Sequence, residues 1–215
     1  MKIKKILLIL MLIIFVTGCT KLQDLSNDDI INKVIVTKNS PNTYRRGYKY
    51  FIPKGLSLKQ AGPNYAILES KDTFYYLFVD LISFNSKKEV EYTINDKAVY
   101  SKHINYDNKK GYVEIKKQEN NQYLIEIMYN YAKIEVMVDD SELKNVLANS
   151  MSILKSIVYD EKVISSLLKD DNLTYTEENF DMFSKSNKRS GILNYTDSSE
   201  EINDESPIKD TDLVN

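Results

Sequence analysis

GYVEIKKQENNQYLIEIMYNYAKIEVMV, residues 111–138, alternates apolar and polar positions through three successive runs, 111–119, 123–129 and 132–138. A period of two is the pattern of a strand with one dry face. Joining the second and third runs through a two-residue turn, Asn130-Tyr131, sets Tyr129 opposite Ala132, Ile127 opposite Ile134 and Ile125 opposite Val136. Joining the first and second through Asn120-Asn121-Gln122 sets Ile115 opposite Ile127 and Val113 opposite Tyr129, on the same face. A two-residue Asn120-Asn121 turn would set Ile115 against Glu126. A one-residue slip turns every side chain over, so the apolar face selects the three-residue loop. Asn121 supplies the left-handed residue such a loop uses. The expected result is an antiparallel meander, dry on one side. Its wet side carries Lys116, Glu126 and Glu135 in a row, with Lys133 diagonal to Glu126.

The dry side needs a cover, and the following segment is patterned to be one. Asp139, Asp140 and Ser141 offer caps and negative charge for a helix start. Leu143, Val146, Leu147, Ser150, Leu154 and Ile157 then recur at helical spacing, which predicts about four turns ending at 157–159. Val163, Ile164, Leu167 and Leu168 suggest a second, short helix within an extension over 161–184. Residues 185–215 are too poor in apolar side chains to offset ordering entropy, which predicts a disordered tail. The tail is acidic: its last twenty residues hold seven acids and one base, Lys209.

On the N-terminal side, TFYYLFVDLI (residues 73–82) is apolar on both faces and reads as a central strand. Asp80 interrupts it, on the face of Phe74, Tyr76 and Phe78. Either the strand surfaces at that end, or Asp80 pairs with Arg45 or Arg46. Residues 65–69 read as a strand leading through a Lys71-Asp72 turn into it, and 83–89 as a polar loop. Residues 92–104 lean towards strand. Residues 44–52 read as one Tyr-rich strand ended by Pro53-Lys54-Gly55. The β-branched run over 30–37 reads as a first strand, and 20–29 as a polar tether. The expected fold is α+β, an antiparallel sheet of about six strands covered by a C-terminal helix, with its domain over 44–160.

The N-terminus carries an address. Lys2, Lys4 and Lys5 precede an apolar run over 6–16, too short to span a bilayer at the roughly 20 residues required. Val16-Thr17-Gly18-Cys19 ends that run, and the whole reads as a secretory signal. These four residues resemble a bacterial lipobox. The resemblance implies cleavage between Gly18 and Cys19, diacylglycerol on the Cys19 sulfur, and a body tethered over 19–43 to the outer face of a membrane. Cys19 is the only cysteine, and a lone thiol in an exported chain has no disulfide partner.

GYKYFIPKGL (residues 47–56) at the head of the domain and SILKSIVYD (residues 152–160) at its close resemble the PsbP-like superfamily, over about residues 44–160. The resemblance implies an antiparallel sheet flanked by helices and a non-catalytic docking or binding role. No functional residue carries over.

Function classes are bounded by what the residues offer. The chain has formal charge −2, and the part between signal and tail is nearly neutral; a nucleic-acid binder carries a basic face. His103, the only histidine, has no nucleophile motif near it and reads as a surface residue. Six glycines form no phosphate-cradling loop. The expected protein is therefore not an enzyme and takes no cofactor. Tyr44, Arg45, Arg46, Tyr48 and Lys49 form the densest basic and aromatic cluster and read as a docking patch for an envelope protein. The alternative is a glycan- or peptide-binding module using exposed tyrosines. Glu126 and Glu135, facing each other, are a weak calcium candidate, with Lys116 and Lys133 as the ordinary counter-charges.

Overall fold

The computed structural model describes residues 21–89 and 91–169. The signal, Cys19, the extension beyond 169 and the tail over 185–215 lie outside the described residues. The elements run in the order α1 (Asn27–Val36), β1 (Thr43–Arg45), β2 (Tyr48–Tyr50), β3 (Ser57–Ala61), β4 (Tyr65–Ser70), β5 (Thr73–Val79) and α2 (Leu81–Ser86). They continue with β6 (Tyr100–Tyr106), β7 (Lys109–Lys117), β8 (Gln122–Tyr129), β9 (Ala132–Asp139), α3 (Leu143–Lys155), β10 (Val158–Tyr159) and α4 (Glu161–Lys169). The fold is α+β with two antiparallel sheets. Seven strands follow the order β3-β4-β5-β9-β8-β7-β6, and three follow β1-β2-β10, in place of the single sheet of about six strands expected.

The meander sits at the centre of the large sheet. Its β8–β9 hairpin has the expected register, Tyr129 to Ala132, Ile127 to Ile134 and Ile125 to Val136. Asn130 and Tyr131 both take left-handed backbone, the signature of the turn whose twist matches a two-residue hairpin. The β7–β8 register differs from the expected one by two residues: Ile115 faces Ile125 and Val113 faces Ile127. The loop is still three residues, Glu119-Asn120-Asn121, closed by a bond from Gln118 N to Gln122 O at 2.8 Å. Asn120 and Asn121 are both left-handed. That conformation suits Asn and not Gln, so the loop centres on the Asn pair and leaves Gln122 in the strand.

On the dry face Val113, Ile115, Ile125, Ile127, Ile134, Val136, Leu77 and Leu68 are fully buried. As expected, α3 lies across them, burying Leu143, Val146, Leu147, Ser150 and Leu154. Its lead-in differs: residues Asp140–Glu142 form a 3-10 turn, and no side chain caps the helix. It ends at Lys155, one turn early, because Val158 and Tyr159 leave to pair with β2.

The expected first strand over 30–37 is a helix. Ser26 Oγ accepts from Asp29 N at 3.1 Å, and the Asp29 carboxylate accepts in return from Ser26 N at 3.3 Å. This reciprocal cap outweighs the modest strand preference of β-branched residues. It also sets Ile30, Ile31 and Ile35 into the core. Segment 20–29 is accordingly not a free tether over its described part: Leu22 and Leu25 pack against the same core. Helix α1 is pinned at both ends. Lys102 and Tyr100 of β6 bond Asp28, and Lys155 of α3 donates to Val34 O at 3.1 Å and Ile35 O at 3.0 Å.

Strand 73–82 stops at Val79. Asp80 is buried, so the strand does not surface there; it caps α2, its Oδ1 accepting from Ser83 N at 2.8 Å. Residues 83–89 therefore open in a helix. Asp80→Ala should lower stability by about 1 kcal/mol, read as a thermal midpoint about 2–4 °C lower; an unchanged midpoint would show the cap to be idle. Strand 44–52 is likewise a hairpin, not one strand, because Gly47 turns the chain with φ +95°.

Among the described residues no helix is long and apolar enough to cross a membrane.

Candidate functional site

Two constellations follow from this architecture. The first is the small sheet. In register, Tyr44 faces Lys49 and Val158 faces Lys49 from the other side, so Tyr44, Lys49 and Val158 form a row across three strands. This row points outward: Tyr44 is 71% exposed and Val158 47% exposed, and Lys49 and Arg46 are exposed beside them. The alternate row, Arg45–Tyr48–Tyr159, points inward, with Tyr50 next to it. The five residues singled out in the sequence thus divide. Tyr44, Arg46 and Lys49 share a surface; Tyr48 is buried and Arg45 half-buried on the opposite face. Val158, which joins the outer row, was not singled out. It lies far away in the chain, and a two-residue strand leaves no periodicity to read.

The small sheet is fixed to the body by aromatic stacking and caps. Tyr159 stacks on Phe84 at 4.0 Å and donates to Asn130 O at 2.6 Å, tying it to α2 and the β8–β9 turn. Burial holds the Tyr159 phenol well above its ordinary range. Asp160 N donates to Gly47 O at 2.8 Å, and Asp160 Oδ1 caps α4 by accepting from Val163 N at 3.1 Å. Helix α4 then lays Ile164 and Leu167 over Gly47, so closely that a Cβ there would stand 2.9 Å from Ile164 Cγ1.

The second constellation is the polar row on the other face of the large sheet. The two-residue register difference replaces Lys116 by Glu114, so Glu114, Glu126 and Glu135 stand side by side on β7, β8 and β9. The face expected to be wet is dry in its middle: Lys133, Glu135 and Glu114 are buried. Phe78 and Met128 flank Lys133 across the strands, and Tyr76 flanks Glu135. Tyr92, from the segment before β6, stacks on Tyr112 at 3.9 Å and covers the row from above. Each carboxylate has a partner. Lys133 Nζ is 3.1 Å from Glu135, Tyr112 donates to Glu126 at 2.6 Å, and Glu114 takes bonds from Tyr92 and Lys116. Glu114 was legible once the Asn120-Asn121 loop is centred correctly; Tyr92 carries no local signal. Glu126 and Glu135 do face each other, but among the described residues no three His, Cys, Asp or Glu side chains gather as a metal centre would need. His103 is exposed and meets only the edge of Tyr92, at 5.5 Å.

Two carboxylates give the body an acid sensitivity. The hydrogen bond from Lys102 holds Asp28 below its ordinary value. Burial pushes Glu114 up, but bonds from Lys116, Tyr92 and Asn95 together bring it below its ordinary value. Both therefore bind fewer protons folded than unfolded. Their stabilisation is fully present above about pH 4–5, the unfolded carboxylate range, and is lost as pH falls through the lowered folded values. The denaturant midpoint should fall between about pH 5 and about pH 3, and Glu114→Gln should flatten part of that fall. A midpoint independent of pH over this window would contradict it.

Compared with protein-family models and with curated proteins, the chain matches none.

Proposed function

We propose that this chain is a membrane-anchored extracytoplasmic lipoprotein whose body is a non-catalytic docking domain for a protein partner of the cell envelope. The observation that carries the docking reading is the outward row of the small sheet, where exposed Tyr44 and Val158 flank Lys49 beside Arg46. Aromatic and arginine side chains on a firm scaffold are the usual energetic centres of protein interfaces. The antiparallel sheet with two helices across one face supports a PsbP-like reading of the fold.

The anchoring reading rests on the lipobox pattern around Cys19. Cys19 stands three positions before Leu22, and the turn Leu22–Asp24 packs at the N-terminal end of α3, where Gln23 bonds Ser141 O at 3.3 Å. Helix α3 is about 20 Å long at 1.5 Å per residue. Its other end carries the small sheet, through Phe51 N donating to Ser156 Oγ at 2.8 Å. On this reading the turn Leu22–Asp24, which follows the lipidated cysteine in the chain, and the docking row stand at opposite ends of α3.

Two measurements test it. Cys19→Ala should abolish incorporation of labelled fatty acid and release the chain from the membrane fraction; retention of either would sink the anchoring reading. A photo-crosslinking residue at Tyr44 should give a discrete protein adduct in intact cells that Lys49→Glu removes. The same residue at Phe74, on the large sheet, should give none. Equal labelling at both positions, or none at Tyr44, would sink the docking reading.

A further inference from the structure

Helix α3 and its lead-in carry polar residues where they meet the β4–β5 hairpin. Glu142, Asn145 and Asn149 recur at helical spacing, so they lie along one side. All three are half-buried. The hairpin brings Ser70 and Thr73, paired at its end, and Lys71 from its turn. Between the two elements is a cleft of about 240 Å³, lined by residues of both. It belongs to neither constellation described above. Sites for drug-sized ligands run to about 300–1,000 Å³, so this cleft suits one small unit and not an oligomer.

One buried group in the cleft has bonding capacity left over. Tyr75 is 2% exposed and lines the cleft. Its hydroxyl accepts from Asn149 Nδ2 at 3.4 Å, long beside the usual value of about 3.0 Å. Among the described residues nothing accepts the phenol proton. Burial raises the phenol, the Asn149 bond opposes that, and the charge of Glu142 adds to the rise. The hydroxyl therefore keeps its proton at neutral pH and remains a donor. Buried donors seldom lack an acceptor, and the cleft is the space from which one can reach it.

The other lining groups decide what kind of acceptor fits. Lys71 Nζ and Glu142 Oε1 stand 3.9 Å apart, so the cleft holds one charge of each sign. A ligand with net charge gains at one and loses at the other. Asn145 Nδ2 donates to Glu142 Oε2 at 2.9 Å. Among the described residues the amide oxygens of Asn145 and Asn149 accept no bond, and the hydroxyls of Ser70 and Thr73 make none. A donor phenol, two amide acceptors and two hydroxyls match a neutral ligand rich in hydroxyls, each of which both donates and accepts.

We propose that the cleft between the β4–β5 hairpin and α3 binds one neutral pyranose unit. The Tyr75 hydroxyl donates to a sugar oxygen, and the Asn145 and Asn149 oxygens accept from hydroxyls beside it. The cleft adjoins the Leu22–Asp24 end of α3, where Gln23 bonds Ser141 O. The docking row is at the other end, and sugar binding requires neither that row nor lipidation.

The test is heteronuclear NMR on the full chain, titrated separately with glucose, galactose and N-acetylglucosamine. Sorbitol, an open-chain polyol, and glycine, a zwitterion, are the comparators. The expected result is a saturable shift of the Asn145 and Asn149 side-chain amides with at least one sugar, at a Kd on the order of 1–10 mM, and no saturation with either comparator. Asn149→Ala, a change that helices favour, should weaken that binding about threefold to tenfold and leave the thermal midpoint no lower. Tyr75→Phe keeps the ring, removes the donor and carries the same expectation of weaker binding, so the proposal stands or falls on it should Asn149→Ala fail to fold. The proposal is overturned if no sugar saturates, or if the folded variants bind as the parent does. It is also overturned if sorbitol saturates equally, which is the behaviour of a gap that merely exchanges water, or if glycine binds more tightly than every sugar, which makes Lys71 and Glu142 a site for a zwitterion.

Discussion

Gly111→Ala is expected to destabilise the protein by about 3 kcal/mol and to lower the thermal midpoint by about 6–12 °C. The reason is backbone contact, not turn conformation. A Cβ at position 111 would stand 2.0 Å from Met128 O and 2.8 Å from both Met128 C and Tyr129 Cα. These atoms belong to β8, which is paired on one side with β7 and on the other with β9. Neither side can yield without loosening a ladder, whereas an overpacked side chain would only change rotamer. Just before it, Lys110 O accepts from Asn130 N at 3.1 Å, so the same close approach also fixes the end of the β8–β9 turn. A glycine inside a strand marks such approaches. The control is Gly55→Ala. Gly55, unlike Gly111, has positive φ, +91°, but nothing lies within 4 Å of its Cβ position, so only conformational strain of about 1–2 kcal/mol applies. Denaturant titration of both variants decides the point: equal losses would mean that close approach at Gly111 is not the cause.

Gly111 also shows what the sequence could and could not say about the fold. Alternation over 111–138 identifies three strands and the face each turns to the core, and those assignments hold in the structure. Alternation has a period of two, so it is blind to a slip of two. The apolar face is the same whether Ile115 meets Ile127 or Ile125. What separates the registers is the backbone of the loop, where the two left-handed residues must be Asn120 and Asn121. The slip leaves the core intact but decides the opposite face, because it exchanges Lys116 for Glu114 in the row beside Glu126. The candidate site was therefore less legible than the core that supports it. Helix α1 fails for a different reason. Its Ile and Val content favours a strand locally, and only the Ser26–Asp29 cap, together with burial of Ile30, Ile31 and Ile35, reverses that preference. Asp80 is the same lesson at a strand end: an acid after an apolar run marks a helix cap when a free amide three residues later can reach it. The pairing of Val158 and Tyr159 with β2 joins segments more than a hundred residues apart through two residues, and no local pattern announces it.

The second large effect is expected at Lys133. Lys133 and Glu135 are 1% and 2% exposed and lie 3.1 Å apart. Removing the cation alone, as in Lys133→Met, leaves a carboxylate in a desolvated row, and breaking such a pair costs about 3–5 kcal/mol. The row makes this worse. Glu135 stands directly opposite Glu126, and like charges facing each other across a ladder repel, so the lysine offsets a repulsion as well as a desolvation. The double variant Lys133→Met/Glu135→Leu removes both charges and fills the space with apolar volume. It should recover most of the loss, since hydrophobic replacement of a buried pair is often neutral or better. A double-mutant cycle in denaturant reads the coupling directly. If Lys133→Met alone costs under about 1 kcal/mol, the row is solvated or compensated in a way that removes its electrostatic tension. If the cycle shows the expected coupling, the pair is a polar element whose stabilising value is small but whose half-removal is severe. Under that condition the Tyr44 adduct of the double variant separates two roles: an unchanged adduct makes the row a matter of folding alone, and a lost one ties the charged face of the large sheet to docking on the small one.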